Sequence, residues 1–474
     1  MQKNGAGILI CLVLSFFTAI SFGQTYSLRQ CIETALANNI PVKQSGLLAE
    51  SAKADWHQAK ANLLPSLNGS WDYGWNQGRS INPFTNAYIS QQFSGSGAGL
   101  SSGIVLFNGL QLQNVIRQTG YAFRASEQEW QQSKDKLTLD VMLAYLTVLN
   151  NEDIWETMKE RREVTYEQVK RLNVMFEKGA TASYMLSDMK GQLAADDIIL
   201  VNNFNALQTA RLELAQLMNI PFNKDMKLER LTEAELLELY AYGVEEIYTS
   251  SLNNLAQVKA VDLRAKSAQR GVAAARGAYF PTISFQGSVG TNYSSVSTTQ
   301  LPTTIVEEPT GGYVTINGVK NPVMTENQQY AARRISYNSQ FANNIGTYYG
   351  FRVSIPVFNN LQTYSNVRRA KVAAKSASYE ADYTRLVLKQ SIEKAYQDMM
   401  ASYERYKVLQ QQVLDYKESF RSAEIRFNLG AIVSTEYLLT KNNYDRALIS
   451  LKQVWYEYIF RTRILDFYRG QLEF

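Results

Sequence analysis

The chain is written twice, and no other feature of the sequence constrains its fold as much. Ser51-Ala52 through Leu64-Pro65 to Gly74 and Asn76 aligns without a gap onto Ser267-Ala268 through Phe280-Pro281 to Gly290 and Asn292, at an offset of 216. Further on, Phe107-Asn108 and Leu110-Gln111 match Phe358-Asn359 and Leu361-Gln362 at an offset of 251. The same offset pairs Leu137 with Leu388 and Ala144-Tyr145 with Ala395-Tyr396. It also pairs Phe176, Gly179, Ala180 and Ser183 with Phe427, Gly430, Ala431 and Ser434. Such self-similarity means one supersecondary plan built twice. A register held this long predicts helices of equal length in the two copies. The larger second offset means that copy two carries a longer insertion between its strands.

Each copy reads as helix, two strands, very long helix, shorter helix. The strands alternate with period two. Leu67, Gly69, Trp71, Tyr73 and Trp75 interleave with Ser66, Asn68, Ser70, Asp72 and Gly74. Ile283, Phe285, Val289 and Tyr293 interleave with Thr282, Ser284, Gln286, Ser288 and Asn292, and Phe351 and Val353 with Gly350, Arg352 and Ser354. Strands are expected at 66–75, 99–107, 282–293 and 349–358, a length that crosses a bilayer when tilted. Leu67, Trp71, Tyr73, Ile283, Phe285, Phe351 and Val353 are expected to face lipid. Ser70, Asp72, Ser284, Gln286 and Arg352 are expected to line a lumen, where Arg352 faces water or a partner such as Asp72. An ordinary sheet on a soluble core is the competing reading, and long helices on both sides of so few strands weigh against it. Four strands cannot close a barrel. Three chains would supply twelve, so closure predicts a homotrimer.

The helical stretches 109–177 and 360–428 contain no proline. Each would span roughly 100 Å at 1.5 Å per residue if unbroken, and Gly120 is the candidate break. Helices at 183–219 and 434–470 follow, and helices at 40–63 and 244–277 precede the strands. Small and apolar residues recur along them with Gln, Lys and Glu between, which suits coiled-coil packing with one solvated face. The fold class is therefore mainly α with a membrane β-barrel. The first repeat is placed at 24–242, with a mid-height linker at 220–242, and the second at 243–474. The insertion near 294–346, rich in Thr, Asn and Gly, reads as an extracellular loop, and Gly95–Gly99 as a flexible hairpin tip.

Lys3, the apolar stretch Ile8 to Ile20 and Ser21-Phe22-Gly23 read as a signal peptide cut after residue 23. Cys31 is then the one cysteine left, which excludes an internal disulfide. No later stretch is apolar enough for a membrane helix, so any membrane span is a β-barrel. The net charge of +5 carries no basic run and gives no nucleic-acid signal. The single histidine, His57, has no partner for a metal site. Carboxylate pairs such as Asp196-Asp197 and Glu245-Glu246 read as solvated helix faces. No nucleophile has a plausible base, so no catalytic residue, metal or cofactor is expected. A soluble periplasmic coiled-coil adaptor would leave the amphipathic strands unexplained. A surface hydrolase would have only Glu307, Glu308, Glu326 and Tyr330 to work with.

The chain resembles the TolC-like outer-membrane efflux proteins over nearly all of its mature length. The resemblance rests on Ser27-Leu28 with Cys31-Ile32 through Ala35 to Asn39, and on Leu64-Pro65, Phe280-Pro281 and Phe107-Asn108-Gly109-Leu110. It rests also on Leu214 through Leu217-Met218-Asn219-Ile220-Pro221 and on the two Phe-x-x-Gly-Ala turns. Each motif is weak alone, but together they hold their order and spacing. The resemblance implies a trimeric twelve-stranded barrel in the outer membrane and a periplasmic tunnel of helices, an α-barrel. It also implies an exit duct for efflux or type I secretion, with a periplasmic adaptor and an inner-membrane pump as partners.

By that resemblance Gly179, Ala180, Thr181 and Ser183, with Gly430, Ala431, Ile432 and Ser434, form the periplasmic tips that meet the adaptor. The glycines would end the long helices in the left-handed conformation, and Ser183 and Ser434 would cap the next ones. The resemblance further implies acidic residues ringing a constriction six and nine positions after the second tip glycine. Those positions hold Glu436 and Leu439, and the first-copy counterparts are Met185 and Asp188. Glu436, Asp188 and Leu439 are thus the candidate constriction, with one acid of the second pair replaced by leucine.

Overall fold

The structure is a computed structural model that describes residues 25–81, 86–90, 92–230 and 239–471. The predicted signal segment lies outside these residues, as does part of the linker at 220–242. In chain order the first copy contains β1 (Thr25–Tyr26), α1 (Leu28–Asn38), α2 (Ile40–Ala61), β2 (Ser66–Asn76), β3 (Arg79–Ile81), β4 (Tyr88–Ser90), β5 (Phe93–Phe107), α3 (Gln111–Glu177), α4 (Ser183–Met218) and β6 (Lys227–Leu228). The second contains α5 (Val244–Asn254), α6 (Ala256–Gly277), β7 (Thr282–Ser294), β8 (Thr298–Ile316), β9 (Val319–Arg334), α7 (Tyr337–Asn343), β10 (Gly346–Ser354), α8 (Gln362–Asn428) and α9 (Ser434–Arg469).

The repeat reaches the element boundaries. Helix α1 gives way to α2 at Asn39, and α5 to α6 at Leu255, both in extended backbone and 216 residues apart. The helix expected at 244–277 is therefore two. Helices α3 and α8 are each 67 residues and start and stop in the same register, and α4 and α9 are each 36. Gly120 does not break α3. A Cβ there would lie 3.0 Å from Trp56 Nε1, so the glycine lets α2 pack closely.

Two compact units are present among the described residues. One comprises those within 52–122 and 265–376, the other those within 1–51, 123–264 and 377–474. The first holds a four-stranded antiparallel sheet in the order β10-β7-β5-β2. Several sequence expectations are corrected there. Strand β5 starts at Phe93, so Gly95–Gly99 lies inside a strand paired on both sides and is not a hairpin tip. Strand β10 runs 346–354, because Pro356 has no N–H to extend the ladder. The insertion is not a loop. Strands β8 and β9 form a separate hairpin turned by Asn317-Gly318, both at positive φ, the pairing that two-residue hairpin turns favour.

The other unit has two apolar cores. One gathers Cys31, Val141, Tyr145, Leu214, Ile247, Ile392 and Leu465 from six helices. Here the Tyr145 hydroxyl donates to Glu229 O at 2.6 Å and reaches Tyr26 O at 3.2 Å, tying α3 to the short parallel pair β1–β6. Burial pushes the Cys31 thiol up to about 12. The second core lies toward the interhelical turns, where Phe420, Phe427, Tyr437 and Tyr444 stack with Leu172, Leu186 and Met189.

Candidate functional site: channel wall and helical tips

Cross-strand partners in an antiparallel sheet lie on the same face. The ladders place Trp71, Ala98 and Thr291 together, then Leu67, Ser102, Gly287 and Tyr349, then Ile104, Phe285 and Phe351. The opposite face carries Ser70, Gly99, Gly290 and Gly346, then Asp72, Gly97 and Asn292, then Val105, Ser284 and Arg352. Every residue expected to face lipid thus falls on one face, and every residue expected in the lumen on the other. The polar face is lined with glycines. A Cβ at Gly97 would sit 2.8 Å from Asp72 Oδ1, so this glycine leaves room for the acid. Within one chain Asp72 does not meet Arg352, because they lie on the two outer strands. Their partners on β7, Asn292 and Ser284, are eight residues apart, about 26 Å along a strand.

Strands β2 and β10 are the outer strands of this sheet, and each has one unpaired edge among the described residues. The apolar face is exposed in the single chain, with Trp71, Tyr349, Phe351 and Val353 all more than half accessible. No described helix is long and apolar enough to cross a membrane.

In the helical unit the two interhelical turns are near copies. Gly179 N donates to Phe176 O at 2.9 Å and Ala180 N to Met175 O at 2.8 Å; Gly430 N donates to Phe427 O at 3.0 Å and Ala431 N to Arg426 O at 2.8 Å. This paired closure, with the glycine at φ +69 or +75, is the Schellman motif. Neither glycine has an atom within 4 Å of its notional Cβ, so both turns are open to a partner.

The serines do not cap. The N-cap residues of α4 and α9 are Ala182 and Val433, without side-chain bonds, and each serine is already the first helical residue. Ser183 is exposed. Ser434 is fully buried, and its hydroxyl donates to Asp188 Oδ2 at 2.8 Å. This bond joins two of the candidate residues across the repeat, from α9 to α4. Glu436 is also engaged, facing Arg426 at 3.3 Å with both side chains about half exposed. Arg171 of α3 donates to Asn428 O at 2.7 Å, linking one long helix to the end of the other. Leu439 is exposed, as are Leu429 and Val433. Sequence reasoning found the acids but not their partners, which lie ten residues away in one case and 246 in the other.

Among the described residues no cluster of His, Cys, Asp and Glu could hold a metal ion.

The family model for outer membrane efflux proteins matches residues 31–219 and 247–462. The chain is 21% identical over 473 residues to the outer membrane protein TolC of Salmonella enteritidis, covering 99% of this chain and 87% of that one. Among solved structures it is similar to the CmeC outer membrane channel of Campylobacter jejuni, with a TM-score of 0.75 and 17% identity over 94% of this chain and 85% of that one. It is also similar to the outer membrane protein VceC of Vibrio cholerae, with a TM-score of 0.74 and 14% identity over 94% and 96%.

Proposed function

The chain belongs to the outer membrane efflux protein family, and from that premise we propose that three copies form one exit duct. It is an outer-membrane efflux channel. In the proposed assembly the sheets join edge to edge into a twelve-stranded barrel, and the paired helices form a periplasmic tunnel. A periplasmic adaptor docks at the turns around Gly179 and Gly430, and an inner-membrane pump delivers substrate through it. The acids near the turns narrow the closed end.

The observation that supports this most is the sheet itself. It has one mainly apolar face, one polar and glycine-lined face, and, among the described residues, a free edge on each outer strand. A four-stranded open sheet with such faces cannot sit in lipid, because each unpaired backbone group there costs several kcal/mol. Pairing β10 of one copy with β2 of the next removes every edge.

The test is biochemical. The mature chain should need detergent for extraction and run as a heat-dissociable trimer on mild electrophoresis. Cells lacking it should retain a pump substrate that wild-type cells export. Recovery of a soluble periplasmic monomer would sink the proposal.

A further inference from the structure

The insertion of the second copy returns to the sheet through α7, and α7 lies on the apolar face. Thr291 Oγ1 donates to Phe341 O at 2.8 Å, and Thr291 shares its face with Trp71 and Ala98. Two residues further along the strands, Tyr73, Ser96 and Tyr293 form a row on that same face. Tyr337 of α7 covers the gap that Ser96 leaves between the two tyrosines. Its ring lies 4.8 Å from that of Tyr293 and 4.4 Å from that of Phe341, and its hydroxyl is 3.3 Å from Ser96 Oγ. Ser96 is 4% exposed, whereas Trp71 and Trp75 nearby are more than half accessible.

Gln340 fixes this helix in place. Strand β10 begins only at Gly346, opposite Gly290, so the end of β7 extends beyond its partner on that side. Gln340 stands in for the missing backbone. Ser294 N donates to its Oε1 at 2.9 Å, and its Nε2 donates to Ser294 O at 3.0 Å and to Ile335 O at 2.9 Å. Asn344 Nδ2 donates to Asn292 O at 2.9 Å. Gln340 is 2% exposed. Backbone groups at a strand end need such partners where water is excluded.

The depth of the row follows from the strand. Tyr293 stands four residues beyond Val289, which is near the middle of β7. That is about 13 Å along the strand, or roughly 10 Å of height at a tilt of about 40°. Aromatic side chains girdle an apolar band about 25 Å tall at this level. The β8–β9 hairpin starts directly above, and its first rungs pair Thr298 with Arg334 and Thr299 with Arg333. Both arginines are exposed. They project from opposite faces of the ribbon, and an arginine stem reaches headgroup level from either. No Asp or Glu occurs in 291–306 or 327–351. The hairpin's acids, Glu307, Glu308 and Glu326, stand further out, and Glu326 is eight residues from Arg334, about 26 Å along the strand. The hairpin is thus cationic at its root and acidic beyond it.

We propose that α7 and the Arg333–Arg334 root form a docking surface for the phosphorylated lipid headgroups of the outer leaflet. Tyr337 and Phe341 sit at the boundary between apolar and polar layers, where aromatic rings are favoured. The guanidinium groups, planar and permanently charged, take the phosphates. Charge complementarity selects this occupant: the root offers two cations and no acid at the depth where a bilayer presents its phosphates. The inference rests on the channel reading above, which turns the apolar face toward lipid.

Retention of lipid phosphate tests the surface. The purified mature trimer in neutral detergent is mixed with diphosphoryl lipid A and passed through a sizing column, and its bound phosphorus is measured. Wild type should retain lipid A in preference to phosphatidylcholine. Arg333→Gln or Arg334→Gln alone should weaken retention about fivefold, and the two together roughly 30-fold. Lys320→Gln, at the far end of the same hairpin, should change nothing. Equal retention by wild type and the double variant overturns the proposal, and so does an equal loss from Lys320→Gln, which would mark a general charge effect. Inorganic phosphate at matched phosphorus concentration should leave the lipid bound; full displacement would reveal a free-anion site and overturn the lipid assignment. The depth of α7 is read separately. In a Cys31→Ala background, Asn338→Cys on α7 and Lys320→Cys each carry a bimane label in phosphatidylcholine vesicles that contain lipid A. A nitroxide on the lipid headgroup should quench the first strongly and the second weakly. Quenching of Asn338→Cys no stronger than that of Lys320→Cys puts α7 in water and sinks the inference. A chain that forms no detergent-requiring trimer fails earlier, at the channel reading. A sound trimer whose lipid retention ignores both arginines refutes only the docking surface.

Discussion

Replacing Glu436 by glutamine should turn the proposed constriction toward anions, and the structure sets the size of the effect. Glu436 faces Arg426 at 3.3 Å, with side chains 47% and 54% exposed. An ion pair this wet contributes about 0.2–1 kcal/mol, so Glu436→Gln should leave the trimer folded. What changes is the local charge. Three glutamates and three arginines cancel in the wild-type ring, and the substitution uncovers three guanidinium groups. A permeant ion passing roughly 5 Å from one such charge in water-like surroundings feels about 0.8 kcal/mol, a bias of about fourfold. The charges act within a Debye length of about 10 Å at 0.1 M salt. The assay is the reversal potential in planar bilayers across a KCl gradient. Glu436→Gln should move it toward chloride. Arg426→Gln should move it toward potassium, and the double variant should return near wild type. If both single variants keep the wild-type reversal potential, the pair does not lie at the aperture.

Further outcomes follow from other parts of the fold. Val289→Arg puts a charge on the apolar face near the middle of β7 and should cost about 2–4 kcal/mol per protomer, read as lost heat-dissociable trimer, whereas Ser288→Arg one residue away should assemble normally; equal assembly would reverse the face assignment. Gly179→Val and Gly430→Val meet no neighbouring atom but force a branched residue to positive φ, a strain of roughly 1–2 kcal/mol, so trimers should form while efflux and adaptor capture fall; normal capture by both variants would remove the turns from the docking site. The Cys31 thiol, raised from 9.0 to about 12 by burial, should resist maleimide in the folded protein at pH 8. Because its folded value lies above the unfolded one, its contribution to stability is intact below pH 9 and is lost as pH rises toward 12. Cys31→Val should therefore show a shallower alkaline loss of stability, by about 1.4 kcal/mol per pH unit, and identical alkaline slopes would refute the assignment.

The strand faces were legible in the sequence because burial on one side of a sheet writes itself in period two, and the pairing of Phe285 with Phe351 obeys that pattern. The long helices were legible because the repeat fixes their ends twice. Elsewhere the local signal pointed the wrong way. The start of β5 alternates Ser with Gly, which reads as a flexible loop, yet the glycines serve close approach on the polar face. Strands β8 and β9 carry apolar residues on both faces and three prolines, Pro302, Pro309 and Pro322, so neither period nor propensity marked them. The cap reading failed by one residue: the serines fit the pattern of a cap, but the backbone turns into helix at Ala182 and Val433, which frees Ser434 to bind Asp188.

The charges of the helical unit were the least legible, and the reason is physical. Lys441 and Asp445 are spaced i, i+4, the arrangement that ordinarily stabilises a solvated helix surface. Nothing local separates such a pair from one that is 1% and 9% exposed. The distinguishing partners, Arg161, Thr165 and Asp196, lie 245 or more residues earlier, and only the fold brings them together. The internal repeat does contain a signal that survives this distance. Where two copies of one plan are superposed in register, positions that match describe the shared scaffold, such as Gly179 with Gly430. Positions that differ in charge at a buried site, such as Asp196 against Ala447 and Asp445 against Ala194, mark contacts that the two copies make differently.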